Sequence, residues 1–441
     1  MAITGIMRLK LILTLEIAFA GIYLALTRSL LVIYLTSIGF TVGFISTMVV
    51  ASSTASLILS IILYKSPKFV VRKVRSKFIL AHAGERIFWI PMVLTSNIYV
   101  ITLSYMILSM SSTILGVFMN LLIYSSFDEA GIRDVTAKRT AAYNFTNVIG
   151  SILSILLLAV LPPEAKFQII FITGSLIGLL STLMISLADM SKMEEVEIPP
   201  EIERPEQFFS ISSFLLAFLT SNNLLGIFWQ PYLMNALNAP DYVAAGINFA
   251  GTLASILGSA LWAKRSLRTF RIALASSIVT PIAAILIPIP SAHIGVSAFN
   301  GVVGTGTAFL GNFLFARYLS KFGILRSSMI MVLLSNLSQL LATPFGIIFG
   351  QNYMILFISV LLLMISSNFL ALLTIPEVAV VPAHAARTYS YLLYTTSLTG
   401  YSFIVETTVE AITLTLRLLA LTLVLIILYI LYRLVWFLAT I

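Results

Sequence analysis

Few side chains in this sequence could do chemistry, because its 441 residues hold 17 aspartates and glutamates, three histidines and no cysteine. Without cysteine there are no disulfides, no thiolate-bound zinc and no iron–sulfur cluster. No G-x-x-x-x-G-K-[ST] run occurs, so ATP is not held by that device, and no H-E-x-x-H occurs. With only His82, His293 and His384, a histidine-bound metal centre has too few ligands. His82 and Glu85, in "HAGER", stand one helical turn apart and could share a cation. No third ligand is near, so a buried polar cluster is the reading preferred. "GVVGTGTAFLG", Gly301 to Gly311, is glycine-rich but opens no helix after a strand. Small residues four apart in an apolar helix are a helix-packing face. The sequence therefore implies no catalytic residue, metal or cofactor, and no enzyme.

Polar side chains inside apolar helices are more informative, since each is costly unless it meets a partner or a wet cavity. Glu16, Ala20, Tyr23, Thr27 and Tyr34 fall on one line at ~100° per residue. Ser109, Thr113, Gly116 and Asn120 form a second stripe, Asn223 and Gln230 with Asn222 and Trp229 a third, and Asn300, Gly304, Thr307 and Gly311 a fourth. These stripes predict a water-filled pathway lined by Glu16, Tyr23, Thr27, Arg28, Asn120, Asn222, Asn223, Gln230 and Asn300; tight packing faces are the alternative. Glu16 is the candidate for a titrating or cation-binding group, unless it is ion-paired at the inner mouth. Arg28, about 120° off its stripe, could hold an anionic group or snorkel outward. Glu85 and Arg86 point in different directions, each toward another helix. Asp128, Glu129, Arg133 and Arg139 form a candidate cytoplasmic gate.

The elements that must position these residues are membrane helices. The chain is 59% apolar and 10% charged, against roughly 25% charge in a soluble domain. Apolar runs of the ~20 residues that span a bilayer lie at about 11–35, 41–64, 78–95, 98–124, 140–161 and 167–188, then 208–234, 242–263, 271–290, 292–316, 325–349 and 353–375. The fold class is all-α and polytopic: a six-helix bundle over 1–188, an acidic cytoplasmic linker over 189–207, a second six-helix bundle over 208–375, a connector over 376–412, and an additional transmembrane helix over 413–441. The halves share "ASLILSIILYK" at Ala55 to Lys65 and "ASILGSALWAK" at Ala254 to Lys264, with four identities at an offset of 199. This suggests an internal repeat.

The net charge of +9 is a record of orientation. With the amino terminus cytoplasmic, inner loops carry 22 of the 26 lysines and arginines and outer loops only Lys166. Nucleic acid is thus no expected partner; the partners are the bilayer of the cell membrane, a small-molecule substrate and a coupling H+ or Na+, for a chain that is a monomer.

On these features the chain resembles the major facilitator superfamily over residues 1 to about 376. The resemblance rests on the six-plus-six plan with its charged linker and on "IYLTSIGFTVGFISTMVVASSTASL" at Ile33 to Leu57. Basic loops at 65–77 and 264–271 stand at the family's signature-loop positions, and "FDEAGIRDVTAKRTAAYNFTNVIGSIL" at Phe127 to Leu153 is similar to its fourth-to-fifth connection. One departure is that "YKSPKFVVRKVRSKF" lacks the aspartate of the family's loop. The resemblance implies that helices one, four, seven and ten of the twelve line the cavity. It implies a secondary transporter working by alternating access, driven by protons or ions. The other readings are a membrane enzyme acting on lipid-linked substrates and a non-transporting scaffold or receptor.

Overall fold

The computed structural model describes residues 2–196, 206–263, 265–316, 319–402, 408–410 and 413–414; the rest of the acidic linker and of the last apolar run lie outside these described residues. All elements among them are helical. In the first half they are α1 (Ala2–Leu26), α2 (Leu31–Ser37), α3 (Val42–Lys65), α4 (Pro67–Val71), α5 (Val74–Ile87), α6 (Trp89–Val93), α7 (Ile98–Ser126), α8 (Glu129–Val160), α9 (Lys166–Ser186) and the short α10 (Ser191–Glu194). In the second half they are α11 (Glu206–Pro231), α12 (Asp241–Trp262), α13 (Phe270–Ser277), α14 (Val279–Leu286), α15 (Ala292–Ala316), α16 (Leu319–Phe349) and α17 (Tyr353–Thr374). The connector beyond α17 is helical over 383–402, where composition had shown no period.

Eleven of the described helical stretches are long and apolar enough to cross a membrane. Of the twelve expected crossings, the one at 78–95 falls short of that measure. It is the segment α5–α6, which carries His82, Glu85 and Arg86 in its middle and breaks at Phe88. Hydropathy cannot see that all three charged or polar groups are buried against other helices.

Each half is held by the same helix pairs. In the first half α1 packs on α8 and α9 and α3 on α7; in the second the corresponding α11 packs on α16 and α17 and α12 on α15. The halves meet where α3 lies against α16 and α8 against α12. Lipid offers no hydrophobic drive for such contacts, so close approach and interhelical hydrogen bonds must supply it. Gly346 on α16 lies against Ser46 on α3, and Gly301 on α15 lies on the backbone of Gly251 on α12, with no room for a side chain at either. The repeated serines do matching work. Ser56 shares a hydrogen bond of 2.8 Å with Ser109, joining α3 to α7, and Ser255, 199 positions later, donates to the Gly301 carbonyl at 3.2 Å, joining α12 to α15.

Candidate substrate cavity

The stripe on α1 turns into the first bundle. Both Glu16 carboxylate oxygens are engaged there: Oε2 accepts from Arg139 Nη1 at 2.8 Å, and Oε1 lies 3.2 Å from His82 Nε2 and 4.0 Å from Arg86. His82 Nδ1 meets the Thr182 hydroxyl at 2.8 Å, and Arg86 Nε donates to Ser181 at 3.3 Å. One carboxylate thus ties α1 to α5, α8 and α9. A buried ion needs this many partners, since leaving one charge unpaired costs about 3–5 kcal/mol.

Tyr23 continues the same face. Its hydroxyl donates to the Glu85 carbonyl at 2.8 Å and accepts from Trp89 Nε1 at 2.5 Å, while the Arg86 guanidinium sits 5.1 Å from its ring centre. Gly178 on α9 makes space for this: a Cβ there would lie 2.6 Å from Arg86 Cγ and 2.8 Å from Tyr23 Cδ2. Thr27 is buried, donates to the Tyr23 carbonyl at 2.7 Å and faces Gly174. Glu16, Tyr23 and Thr27 therefore form a packing face and not the lining expected of them. Glu85 and Arg86, expected to point apart, pair with each other.

The helix break after Leu26 changes which residue looks inward. Thr27 leaves helical geometry (φ −122°, ψ −78°), and Arg28–Leu30 form a 3₁₀ turn before α2 resumes. Arg28 is thereby swung onto the wall of a cavity of about 620 Å³, joined by Asn222, Gln230, Asn248, Asn300 and Trp229. Its side chain is 47% accessible although it lies within a membrane helix, because it borders this space. Nη2 donates to Ser112 at 3.1 Å and stands 3.7 Å from Glu85.

Most of the cavity wall comes from α11, α12 and α15. Trp229 is fixed by a buried relay: its Nε1 donates to His293 Nδ1 at 3.1 Å, and His293 Nε2 donates to the Ile287 carbonyl at 2.9 Å. Those two bonds use both ring nitrogens of a neutral imidazole. Asn300 accepts from Thr280 at 3.1 Å, which leaves its NH2 for the cavity; Asn222 donates to the Phe218 carbonyl at 2.9 Å, which leaves its oxygen. Asn223 is turned away and donates to Ser338 on α16 at 2.8 Å. Of the residues named from sequence, Arg28, Asn222, Gln230 and Asn300 meet at this cavity. Asn248, Thr252 and Ser29 were missed: Asn248, Thr252, Ser255 and Ser259 recur on one face of α12, a polar stripe that was readable at helical spacing, whereas Ser29 reaches the wall only through the 3₁₀ turn after Thr27.

Asn120 borders a second cavity of about 300 Å³ with Tyr124, Arg139 and Tyr143. The expected gate cluster separates into different roles. Asp128 caps α8 by accepting from the Gly131 N–H at 2.9 Å, and Arg139 holds Glu16. The Glu129 and Arg133 side chains lie outside the described residues. Charge pairing at this end instead joins Lys10 and Lys138 to Asp134, at 2.7 and 3.0 Å.

At the opposite end the two halves are joined. Lys166, at the start of α9, pairs with Asp241, at the start of α12. Asn248 donates to the Ser29 carbonyl at 2.6 Å, and α2 packs on both α11 and α12. The main packing partners of α15 all lie in its own half. The halves are thus tied at the Lys166 face, and they also meet along α16, where Asn336 donates to Ser60 at 3.0 Å and to Thr113 at 3.2 Å.

No protein-family model matches the sequence, and no curated protein does. Solved structures do match the fold. A nucleoside transporter, NupG, in a mutant form, is similar at 12% identity and a TM-score of 0.61, over 82% of this chain and 98% of that one. A bacterial homologue of the iron transporter ferroportin, in its inward-facing state, is similar at 15% identity and a TM-score of 0.58, over 83% and 98%. A bacterial homologue of the lysosomal transporter Spinster, inward-facing and occupied, is similar at 13% identity and a TM-score of 0.53, over 88% and 96%. At such identities the likeness concerns the fold alone: this chain shares the all-α, many-helix membrane fold of these solved structures.

Proposed function

We propose that the protein is a secondary active transporter, carrying a small solute across the cell membrane by alternating access and coupled to a proton or ion gradient. The observation that carries this reading is the polar cavity between the halves, joined at one face by Lys166 with Asp241 and by Asn248 with Ser29. A site in a bundle interior needs a route to each side in turn, and rocking two six-helix units about it provides one. The basic loops place the amino terminus in the cytoplasm in this reading. The fold neighbours named as transporters support it.

Coupling through protons would use Glu16, which Arg139 links to the second cavity. Proteoliposomes loaded with an imposed pH or sodium gradient and offered a labelled metabolite extract test the reading. Gradient-dependent accumulation of one solute class is expected; accumulation no greater than in protein-free vesicles overturns it. Uptake that keeps its dependence on the pH gradient in Glu16→Gln removes Glu16 as the proton carrier.

A further inference from the structure

We infer that the cavity selects a small organic monoanion, bound through Arg28; this rests on the transport reading and names the substrate class of the same site. Arg28 is the one charged side chain among the cavity's described lining residues. The charges behind it do not cancel it. Glu16 and Glu85 are the two carboxylates of the buried cluster, and Arg28, Arg86 and Arg139 are its three guanidiniums. His82 lies away from the cavity, its two ring nitrogens taken by Thr182 and Glu16. Arg139 and Arg86 already serve Glu16 and Glu85, so one positive charge remains, and it sits on the only member of the cluster that opens to the cavity.

Arg28 also keeps donors in hand. Both of its protein contacts run through Nη2; Nε and Nη1 have no partner among the described residues. A guanidinium with free N–H groups in a wet cleft recognises a carboxylate by charge-assisted hydrogen bonds. One excess charge matches a monoanion, whereas a dianionic phosphate would bring a second charge with no counterpart. The rest of the wall is uncharged: the amides of Asn222, Asn248 and Asn300 and the ring of Trp229. These suit the polar and apolar body of an organic acid, and a carboxylate is therefore preferred to an inorganic anion.

The natural absence of cysteine makes a direct test simple. A single cysteine at Thr252, on the cavity wall, is reacted in the purified full chain with an anionic sulfonatoethyl and a cationic trimethylammonioethyl methanethiosulfonate. Relative to a free thiol, the anionic reagent should be favoured on the order of tenfold. Arg28→Gln should abolish that preference while leaving reaction with neutral methyl methanethiosulfonate unchanged, which shows that the cavity persists. A ratio equal to that of a free thiol, or one insensitive to Arg28→Gln, overturns the inference. In the same preparation benzoate and lactate should slow labelling of the Thr252→Cys chain, with benzamide and lactamide at least tenfold weaker. Equal protection by acids and amides also overturns it. A carboxylate that protects the cysteine yet is never accumulated in proteoliposomes would keep the anion site and remove transport; accumulation of a neutral solute with no anionic preference would do the reverse.

Discussion

The two halves share a helix plan and a pair of corresponding serines, yet their interiors use opposite chemistry. The first half is tied by ions: Glu16 joins four helices through Arg139, His82 and Arg86, and Glu85 lies between Arg86 and Arg28. The second half has hydrogen-bonding but uncharged groups in its centre, with Trp229 set by His293 and amides set by Thr280 and by backbone carbonyls. A network of buried ions is costly to rearrange. Amides and hydroxyls that still have free donors and acceptors can exchange partners with water or a solute. The difference teaches that the first half is the scaffold and supplies one cation, while the second supplies most of the recognition surface.

If that contrast holds, the largest loss of stability should follow removal of an ion from the first half. Glu16→Ala leaves Arg139 and Arg86 facing each other without the shared carboxylate, and should cost about 3–5 kcal/mol, read as a lowered unfolding temperature of the purified protein. Glu16→Gln should cost less. Next comes Gly178→Ala, whose methyl would press on Arg86 and Tyr23; overpacking of this kind costs about 1–3 kcal/mol. In the second half, His293→Ala removes the acceptor of the Trp229 N–H and should cost about 1–3 kcal/mol, with a red shift or quench in tryptophan emission as the ring gains freedom. Asn300→Ala should have the smallest effect on stability, within about 1 kcal/mol, while weakening solute binding. An Asn300→Ala loss as large as that of Glu16→Ala would erase the contrast.

The sequence made the helix plan readable because a bilayer demands long apolar runs. It also marked Arg28, Asn222, Gln230 and Asn300, which do meet at the cavity. What could not be read was direction. The α1 stripe of Glu16, Tyr23 and Thr27 has one azimuth on an ideal helix, but whether it faces a cavity or a neighbour depends on Gly174 and Gly178 of a helix some 150 residues away. The break at Thr27 then rotates Arg28 off the ideal wheel. Asp128 looked like a gate charge because a capping carboxylate and a loop carboxylate have the same spelling. Ionic pairing between distant helices, such as Lys166 with Asp241, carries no local signal.

That last pair separates a rocking transporter from a rigid scaffold. Replacing Asp241 with Asn removes one tie between the halves at the Lys166 face and should shift the equilibrium toward opening there by about tenfold, the effect of roughly 1.4 kcal/mol. Electron-spin distance measurements read this on the full chain reconstituted in nanodiscs, with label pairs at exposed Ser37 and Ala236 on the Lys166 face and at exposed Ser66 and Ser266 on the basic face. Alternating access predicts that in Asp241→Asn the first distance distribution gains a longer component while the second gains a shorter one. Distances unchanged at both faces, or lengthening at both together, would contradict it.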